Sequence, residues 1–298
     1  MEPARTHPRV STPLLALLAS LVIIATAALA WAPAAGAHPK IDYVALGDSY
    51  AAGPLIPNQI AVDTPPGCAQ SDHNYPHDIA AISSLIDLTD VSCSGARTND
   101  MFTPQTTAAG INPPQLNAVT TKTVAVSLTI GGNDIGFSSI IASCISPVPV
   151  GQPCQNLYVT ASGDALRQRV DATAPKVKAV LDGIKAKSPH ARIVVVGYPD
   201  ILPPNSPGCW PQIPFTPSDT AYLDGVERYL NDMLRTVARA NGAGYGNSYA
   251  LSVGHDACQT PDVRWVEPLV PVNPAAPAHP NAKGEQAMAG AALLGVLF

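Results

Sequence analysis

Residues 41–50 read IDYVALGDSY, and this stretch decides how the chain folds. The run from Ile41 to Leu46 is short, mostly apolar and without clean alternation, which is typical of a strand buried on both faces of a parallel sheet. Gly47-Asp48-Ser49-Tyr50 then breaks the run, and a tight turn into a helix here exposes the serine hydroxyl at the carboxyl end of the sheet, where α/β proteins place their chemistry. Ser49 is therefore a candidate nucleophile, although the motif alone fits an ordinary turn equally well.

Strand and helix patterns alternate along the rest of the chain, which predicts a parallel sheet with helices on both faces. The strands expected besides the first lie at 86–92, 124–130, 193–196 and around 245–251. Helical periodicity covers 165–187, where Pro175 is expected to interrupt or kink the helix, and 220–241, which Gly242 closes. A final helix is expected after Pro280, and Pro-rich loops at 145–156, 203–217 and 259–280 are expected to wall the site.

The N-terminal segment has the pattern of a secretory signal peptide. Arg5 and Arg9 precede an apolar stretch from Leu14 to Trp31, and Ala35-Gly36-Ala37 supplies a small-residue cleavage site. We expect cleavage after Ala37; an uncleaved anchor is the alternative, because the stretch approaches the roughly 20 residues that cross a bilayer. Residues 38–298 then fit one α/β domain, secreted or associated with the cell envelope.

Charge and cysteine content limit the classes of function. The formal net charge of −5 disfavours nucleic-acid binding through a basic surface. The six cysteines are Cys68, Cys93, Cys144, Cys154, Cys209 and Cys258. An even number in an exported chain indicates disulfides, whereas the absence of C-x-x-C spacing and the scattered histidines give no support for a metal site. No cofactor is expected, and the residues alone leave all fifteen cysteine pairings open.

Two further segments end strands at the same edge of the predicted sheet. Gly131-Gly132-Asn133 follows the third strand, and the Asn133 amide is a good donor to a developing oxyanion because it adds no charge. Gly95 follows the second strand and, without a Cβ, can offer its backbone N–H at close range. Each residue alone is more simply a turn residue; opposite a candidate nucleophile, both are candidate oxyanion donors.

A histidine near the C-terminus is the candidate general base. His279 precedes Pro280 at a loop-to-helix boundary, a position that can hold the imidazole ring in place. His255 lies beside Asp256, but adjacent residues rarely orient each other's side chains in a catalytic relay. His255 is therefore interpreted as structural.

These four segments resemble the blocks of the SGNH, or GDSL, hydrolase superfamily. Ser49, Gly95, Asn133 and His279 match the residues that name it, in the family's order, and the resemblance spans residues 41–298. It implies a flavodoxin-like three-layer α/β/α sandwich with a five-stranded parallel sheet. The cysteines and the segments Cys93-Ser94-Gly95-Ala96 and 254–258 further resemble the secreted actinobacterial lipase and esterase branch. That branch implies the sequential disulfides Cys68–Cys93, Cys144–Cys154 and Cys209–Cys258.

The chain departs from the family at one position. The family places an aspartate three residues before the histidine, where this chain has Ala276. We expect a Ser49–His279 dyad in which a backbone carbonyl, that of Ala276, selects the imidazole tautomer, as in some relatives. Asp256, Asp262 and Glu267 are the carboxylates that could instead reach the imidazole.

The resemblance implies a serine ester hydrolase, a lipase or esterase that forms an acyl-enzyme on Ser49. Apolar residues after Ser49 and Asn133 favour an acyl chain of a lipid or simple ester as substrate. A carbohydrate acetyl esterase is the nearer alternative, since Trp210 and Trp265 could stack on a sugar; a non-catalytic cell-envelope binding protein is the more distant one. The expected partners are a small-molecule or lipid ester and, transiently, a membrane or the cell envelope, with the protein itself a monomer.

Overall fold

A computed structural model describes residues 40–61, 64–204 and 206–297. The expected signal peptide at 1–37 lies outside the described residues. The strands are β1 (Ile41–Gly47), β2 (Ile86–Asp90), β3 (Gln105–Thr107), β4 (Gly110–Asn112), β5 (Ala125–Thr129), β6 (Val159–Thr160), β7 (Gly163–Asp164), β8 (Arg192–Val196) and β9 (Gly244–Gly246). The helices are α1 (Ser49–Ala52), α2 (Tyr75–Ala80), α3 (Gly132–Ile135), α4 (Phe137–Cys144), α5 (Pro153–Tyr158), α6 (Ala165–Lys187), α7 (Pro217–Ala240), α8 (Ser248–Ser252) and α9 (Ala282–Leu297), with 3₁₀ turns at Thr98–Met101 and Gln115–Ala118.

A five-stranded parallel sheet forms the centre, in the order β2-β1-β5-β8-β9. The apolar runs predicted to be buried on both faces form the inner strands β1, β5 and β8, whereas β2 alternates in burial because it lies at an edge. Helices α6 and α7 pack together, and α2 packs against α9, so that one pair covers each face. The predicted three-layer α/β/α fold is confirmed.

The register of the sheet brings the functional turns to one edge. Gly47 at the end of β1 pairs with Thr129 at the end of β5, and Ala45 pairs with Asp90 at the end of β2. Ser49 follows the first of these strand ends and Asn133 the second, by a few residues each. Parallel strands end at a common edge, so the two side chains lie on the same side of the molecule.

Two sequence predictions differ from the structure. The segment 245–251 is a strand only as far as Gly246, since Asn247 caps α8 by accepting the Ala250 N–H at 3.2 Å. Helix α6 runs without interruption through Pro175. Thr173 and Val177 on either side of the proline are buried, and this packing holds the helix together.

The six cysteines form three disulfides, Cys68–Cys93, Cys144–Cys154 and Cys209–Cys258, the sequential pairing that the resemblance implied. The first joins the loop after α1 to the end of β2, two residues before Gly95. The second closes the Pro-rich loop between α4 and α5. Covalent links therefore hold the loops at the carboxyl edge of the sheet.

Gly47 is fixed by close packing at the end of β1. A Cβ on Gly47 would lie 2.8 Å from both the Ala51 Cβ and the Thr129 carbonyl oxygen. The Gln115 side chain bonds both backbone groups of Gly47, accepting its N–H at 2.8 Å and donating to its carbonyl at 2.9 Å. No flexible atom can move aside to admit a side chain here.

Gly47→Ala should therefore lower the free energy of unfolding by about 1–3 kcal/mol, because the added methyl overpacks a rigid site. Urea unfolding followed by circular dichroism measures this. Gly225→Ala in α7 is the matched control: its Cβ would have no atom within 4 Å, so it should stabilise the helix by roughly 0.5–1 kcal/mol. Equal effects of the two substitutions would contradict the packing argument.

Candidate active site

The turn that carries Ser49 is built by its own sequence. Asp48 caps the one-turn helix α1 by accepting the Tyr50 N–H at 2.9 Å, and Gly53 ends it with φ 72°. Ser49 is the first residue of α1, so its N–H has no partner within the helix. The Ser49 hydroxyl and N–H are thus presented together at the carboxyl edge of the sheet.

His279 lies in direct contact with Ser49. The imidazole Nε2 is 2.7 Å from the Ser49 Oγ, and Nδ1 is 2.8 Å from the Pro277 carbonyl oxygen. A carbonyl only accepts hydrogen bonds, so Nδ1 carries the proton and Nε2 is left to accept from the serine. The histidine is therefore in the tautomer that a general base needs.

The carbonyl that selects this tautomer differs from the expected one. We expected Ala276; the structure shows Pro277, one residue nearer to the histidine. The Ala276 carbonyl instead accepts the backbone N–H of His279 at 3.2 Å, which closes the turn that carries the ring. The local turn geometry thus moves the acceptor by one residue.

Among the described residues, no carboxylate contacts the His279 imidazole. Asp256 is buried and accepts from Cys258 and Gln259, and Asp262 lies at the exposed surface. Burial alone lowers the pKa of His279 below its usual value, although the hydrogen bond to Pro277 partly opposes this effect. Burial accordingly favours the neutral form of the imidazole.

Glu267 supports the loop that carries His279 instead of the ring itself. Its carboxylate accepts four hydrogen bonds, from the side chains of Asn273 and Asn281 at 2.8 Å and the N–H groups of Val272 and Asn273 at 3.0 Å. Burial opposes ionisation, but these donors outweigh it and lower the pKa of Glu267. The Glu267 N–H also donates to the His279 carbonyl at 2.9 Å. Sequence reasoning weighed Glu267 only as a partner for the imidazole and missed this role.

Tyr50 joins the serine turn to the histidine loop. Its hydroxyl donates to the Ala278 carbonyl at 2.5 Å, and its ring centroid lies 4.7 Å from that of His279. Ala278 adopts a left-handed backbone with φ 58° immediately before the histidine. The residue after Ser49 therefore fixes the position of the residue before His279.

The expected oxyanion donors lie on two neighbouring turns. Asn133 and Ser49 line one cavity, and the Asn133 Nδ2 donates to the Ala96 carbonyl at 2.9 Å, which leaves its second amide hydrogen for a ligand. Gly95, next to Ala96, has φ 80°, and its N–H donates no hydrogen bond within the described residues. The Asn133–Ala96 bond thus joins the turn after β5 to the loop after β2.

Tyr198 connects the turns that carry Ser49 and Asn133. Its buried hydroxyl donates to the Asp48 carboxyl at 2.5 Å and accepts the Gly132 N–H at 2.8 Å. Burial raises the pKa of Asp48 to about 7, although the bonds from Tyr198 and the Tyr50 N–H partly lower it. Nothing in the sequence near Gly197-Tyr198 marked it as a site residue, because the contact spans 150 residues of chain.

An apolar cavity opens beside Ser49 and Asn133 and encloses about 830 Å³, its open mouth included. The segments Ile135–Ile141 and Ile201–Leu202, the residues Ile213, Phe215 and Leu269, and the buried face of α7 from Leu223 to Leu230 form its walls. Glu227 also lines it, but burial raises the pKa of that carboxyl well above its usual range, which favours the neutral acid. The cavity suits an uncharged, hydrocarbon-like group.

The other residues considered from the sequence lie apart from this arrangement. His255 stacks on Trp265 with centroids 3.7 Å apart and bonds the Val263 carbonyl at 2.7 Å, which fits the structural interpretation. Trp210 donates to the Ser146 carbonyl at 3.2 Å. Over the described ranges, no three His, Cys, Asp or Glu side chains converge as a metal site, and no helix is long and apolar enough to cross a membrane.

Tyr198→Phe should lower the free energy of unfolding by about 1–3 kcal/mol, since the buried Gly132 N–H loses its acceptor and the Asp48 carboxyl loses one of its donors. It should also slow labelling of Ser49 by a fluorophosphonate about tenfold or more, because the two turns lose their common support. Tyr43→Phe is the matched control: it removes an equally buried hydroxyl, 2.7 Å from Ser127, without a contact to the site. Equal labelling rates for the two variants would show that Tyr198 only stabilises the fold.

Comparison with known proteins places the chain in a family. Residues 45–287 match the model of the GDSL-like lipase/acylhydrolase family. Lipase 2 of Streptomyces coelicolor is 39% identical over 291 residues, which cover 94% of each chain. Among solved structures, an extracellular lipase from Streptomyces rimosus covers 86% of this chain and 98% of its own at 27% identity and a TM-score of 0.69.

A phospholipase A1 from Streptomyces albidoflavus is equally similar in structure, with 27% identity and a TM-score of 0.69 over 87% of this chain and 98% of its own. The family match covers most of the chain and spans Ser49, Gly95, Asn133 and His279. The chain therefore belongs to the GDSL-like lipase/acylhydrolase family and is a carboxylic ester hydrolase.

Proposed function

We propose that this protein is an exported lipase or esterase that hydrolyses lipid esters through an acyl-enzyme on Ser49. The observation that carries the proposal is the 2.7 Å contact between the Ser49 Oγ and the His279 Nε2, with Nδ1 held by the Pro277 carbonyl. His279 takes the serine proton as Oγ attacks the ester carbonyl, and then returns it to the departing alcohol. Water, activated by the same histidine, releases the acid.

The tetrahedral intermediate needs hydrogen-bond donors for its oxyanion. The N–H groups of Ser49 and Gly95 and the Asn133 amide are the three donors we assign, all uncharged. One hydrogen of the Asn133 amide donates to the Ala96 carbonyl, and this bond fixes the direction of the second hydrogen. Prepositioned donors of this kind stabilise the transition state because they need no reorganisation during the reaction.

The base operates as part of a dyad with Ser49. The Pro277 carbonyl orients the ring and selects its tautomer, but it stabilises the imidazolium less than a carboxylate does. The position of the family aspartate is Ala276, and the ionised Glu267 nearby has its four hydrogen bonds to the loop. The charge of Glu267 therefore stabilises the loop that carries His279 and does not contact the imidazole ring.

The apolar cavity favours a lipid acyl chain over a sugar acetate. Its walls are almost entirely aliphatic and aromatic, so a hydrocarbon chain finds more apolar contacts there than a polar sugar does. The relatives named lipase and phospholipase A1 support the same substrate class. Trp210 and Trp265, the residues considered for sugar stacking, bond or stack within the protein.

Export is the remaining part of the proposal. Residues 1–37 have the pattern of a signal peptide, which leaves residues 38–298 as a single hydrolase domain. Three disulfides fit an oxidising compartment outside the cytoplasm, and the Streptomyces rimosus relative is described as extracellular. N-terminal sequencing of the exported protein, with Ala37 as the expected cleavage point, checks this part.

A fluorophosphonate should label Ser49 in the folded protein, and turnover on esters should rise from acetate to longer acyl chains. Ser49→Ala and His279→Ala should each abolish labelling, whereas Asn133→Ala should lower kcat by about 10²–10³ because it removes one oxyanion donor. Peptide mass spectrometry locates the adduct, and a panel of 4-nitrophenyl esters gives the chain-length profile. A preference for acetylated polysaccharide over every longer ester would favour the carbohydrate esterase, and unlabelled Ser49 would exclude a serine hydrolase.

The acid limb of kcat/KM should have its midpoint below 6.5, the usual pKa of histidine, because burial lowers the pKa of His279. The rate falls as the pH drops through this pKa, since a protonated imidazole cannot accept the serine proton. A carboxylate partner would raise the midpoint above 6.5, and such a result would contradict the dyad. Asp48→Asn removes a carboxyl beside the site whose pKa is about 7, and it should leave the midpoint unchanged.

A further inference from the structure

Four segments of the chain that border the cavity carry no Asp, Glu, Lys or Arg. They are residues 49–61, 135–163, 201–218 without the undescribed position 205, and 268–282. At the 13% average of the chain, about ten charged residues would be expected in them. Each segment contributes to the cavity wall. The first does so through Ser49 and Tyr50, the second through Ile135 and Phe137, the third through Ile201 and Phe215, and the fourth through Leu269. We call these four segments the charge-free rim.

The charge-free rim also contains most of the large apolar side chains that are at least half exposed. Nine such side chains among the described residues are at least half exposed, and seven of them belong to the rim. Val270 is 78% exposed, and Val272, Val150 and Leu55 are each 60% exposed or more. Single exposed aliphatics are ordinary, but a concentration of them around one cavity marks an interaction surface.

Backbone contacts place these exposed side chains next to the cavity. Val270 follows Leu269, which lines the cavity. Pro54, beside Leu55, accepts the Ala276 N–H at 2.9 Å, which joins the first and fourth segments. The Ser146 N–H donates to the Pro214 carbonyl at 2.7 Å, which joins the loop with Val148 and Val150 to the third segment. The segments therefore meet around one opening.

The rim is stiff as well as apolar. Sixteen of the 31 prolines in the chain lie in it, and two disulfides, Cys144–Cys154 and Cys209–Cys258, tie its middle segments. Proline restricts the chain before any contact forms, so the exposed side chains lose little conformational entropy on binding. Such a surface binds a partner without first having to fold around it.

We propose that the charge-free rim seats the enzyme on the surface of aggregated neutral or zwitterionic lipid, with the cavity facing the aggregate. This inference rests on the proposed lipid esterase function. A lipid surface fits because aliphatic side chains enter the headgroup boundary, whereas charged ones resist leaving water. The rim has no Lys or Arg, so an anionic surface offers no electrostatic attraction. An ester that leaves the aggregate then enters the cavity without crossing water.

Binding is measured on the Ser49→Ala protein, so that hydrolysis cannot alter the lipid. It should co-sediment with phosphatidylcholine vesicles, and 0.5 M NaCl should leave the partition coefficient unchanged. Val150→Glu and Val270→Glu should each lower the partition coefficient about tenfold or more, because each places a charge in the apolar boundary. Ile82→Glu is the matched control. Ile82 is 63% exposed, but it precedes β2 at the amino end of the strands, away from the cavity at their carboxyl ends, so binding should not change.

The same substitutions in the active protein separate docking from chemistry. Turnover of a dissolved short-chain ester should stay within twofold of the parent for Val150→Glu and Val270→Glu, and turnover of an ester presented in vesicles should fall about tenfold. Equal binding by the rim and Ile82 variants, or binding only to phosphatidylglycerol, would overturn the proposal. The proposal would also be overturned if the parent protein formed a dimer and the rim variants were monomers, because the rim would then be a subunit interface. If the parent protein does not hydrolyse dissolved esters, the proposed function itself is overturned, whatever the vesicle experiment shows.

Discussion

The hydrogen bond between the Tyr198 hydroxyl and the buried Asp48 carboxyl is the contact on which the site depends. Asp48 caps the turn that carries Ser49, and the same hydroxyl accepts the N–H of Gly132, the residue before Asn133. Tyr198 follows β8, so one phenol ties together the ends of β1, β5 and β8, three neighbours in the sheet. The distance between the proposed nucleophile and oxyanion donor is thereby set by the sheet rather than by loops.

The loop that carries His279 is held by a neutral group and an ionised group with separate roles. A neutral carbonyl, that of Pro277, orients the imidazole, while the ionised Glu267 gathers the loop around it through Asn273 and Asn281. Tyr50 adds a link back to the serine turn through the Ala278 carbonyl. The loss of the family aspartate at position 276 thus removes charge from the ring without loosening the loop. The lowered pKa of His279 agrees with this arrangement, because burial acts without an opposing carboxylate.

The cavity and the charge-free rim share one chemical character. From the walls beside Ser49 outward to Val270 and Leu55, the surface is mostly aliphatic and rich in proline, and the rim itself carries no formal charge. The buried carboxyl of Glu227 does not break this pattern, because burial favours its neutral form. A substrate that is apolar and aggregated meets the same environment at the rim and in the cavity.

The sequence by itself determined the architecture and the four residues of the proposed site. Buried apolar runs encode parallel strands, their common edge collects the turns, and Ser49, Gly95, Asn133 and His279 each follow or precede an element that local patterns reveal. Local patterns were less reliable at two places. The last strand ends early because Asn247 caps the next helix, and α6 continues through Pro175 because its neighbouring residues are packed in the core. Tertiary structure alone decided what supports the site. The contacts of Tyr198 with Asp48, Tyr50 with Ala278 and Pro277 with His279 depend on long-range packing or on the exact path of a loop, and no short-range pattern in the chain specifies either.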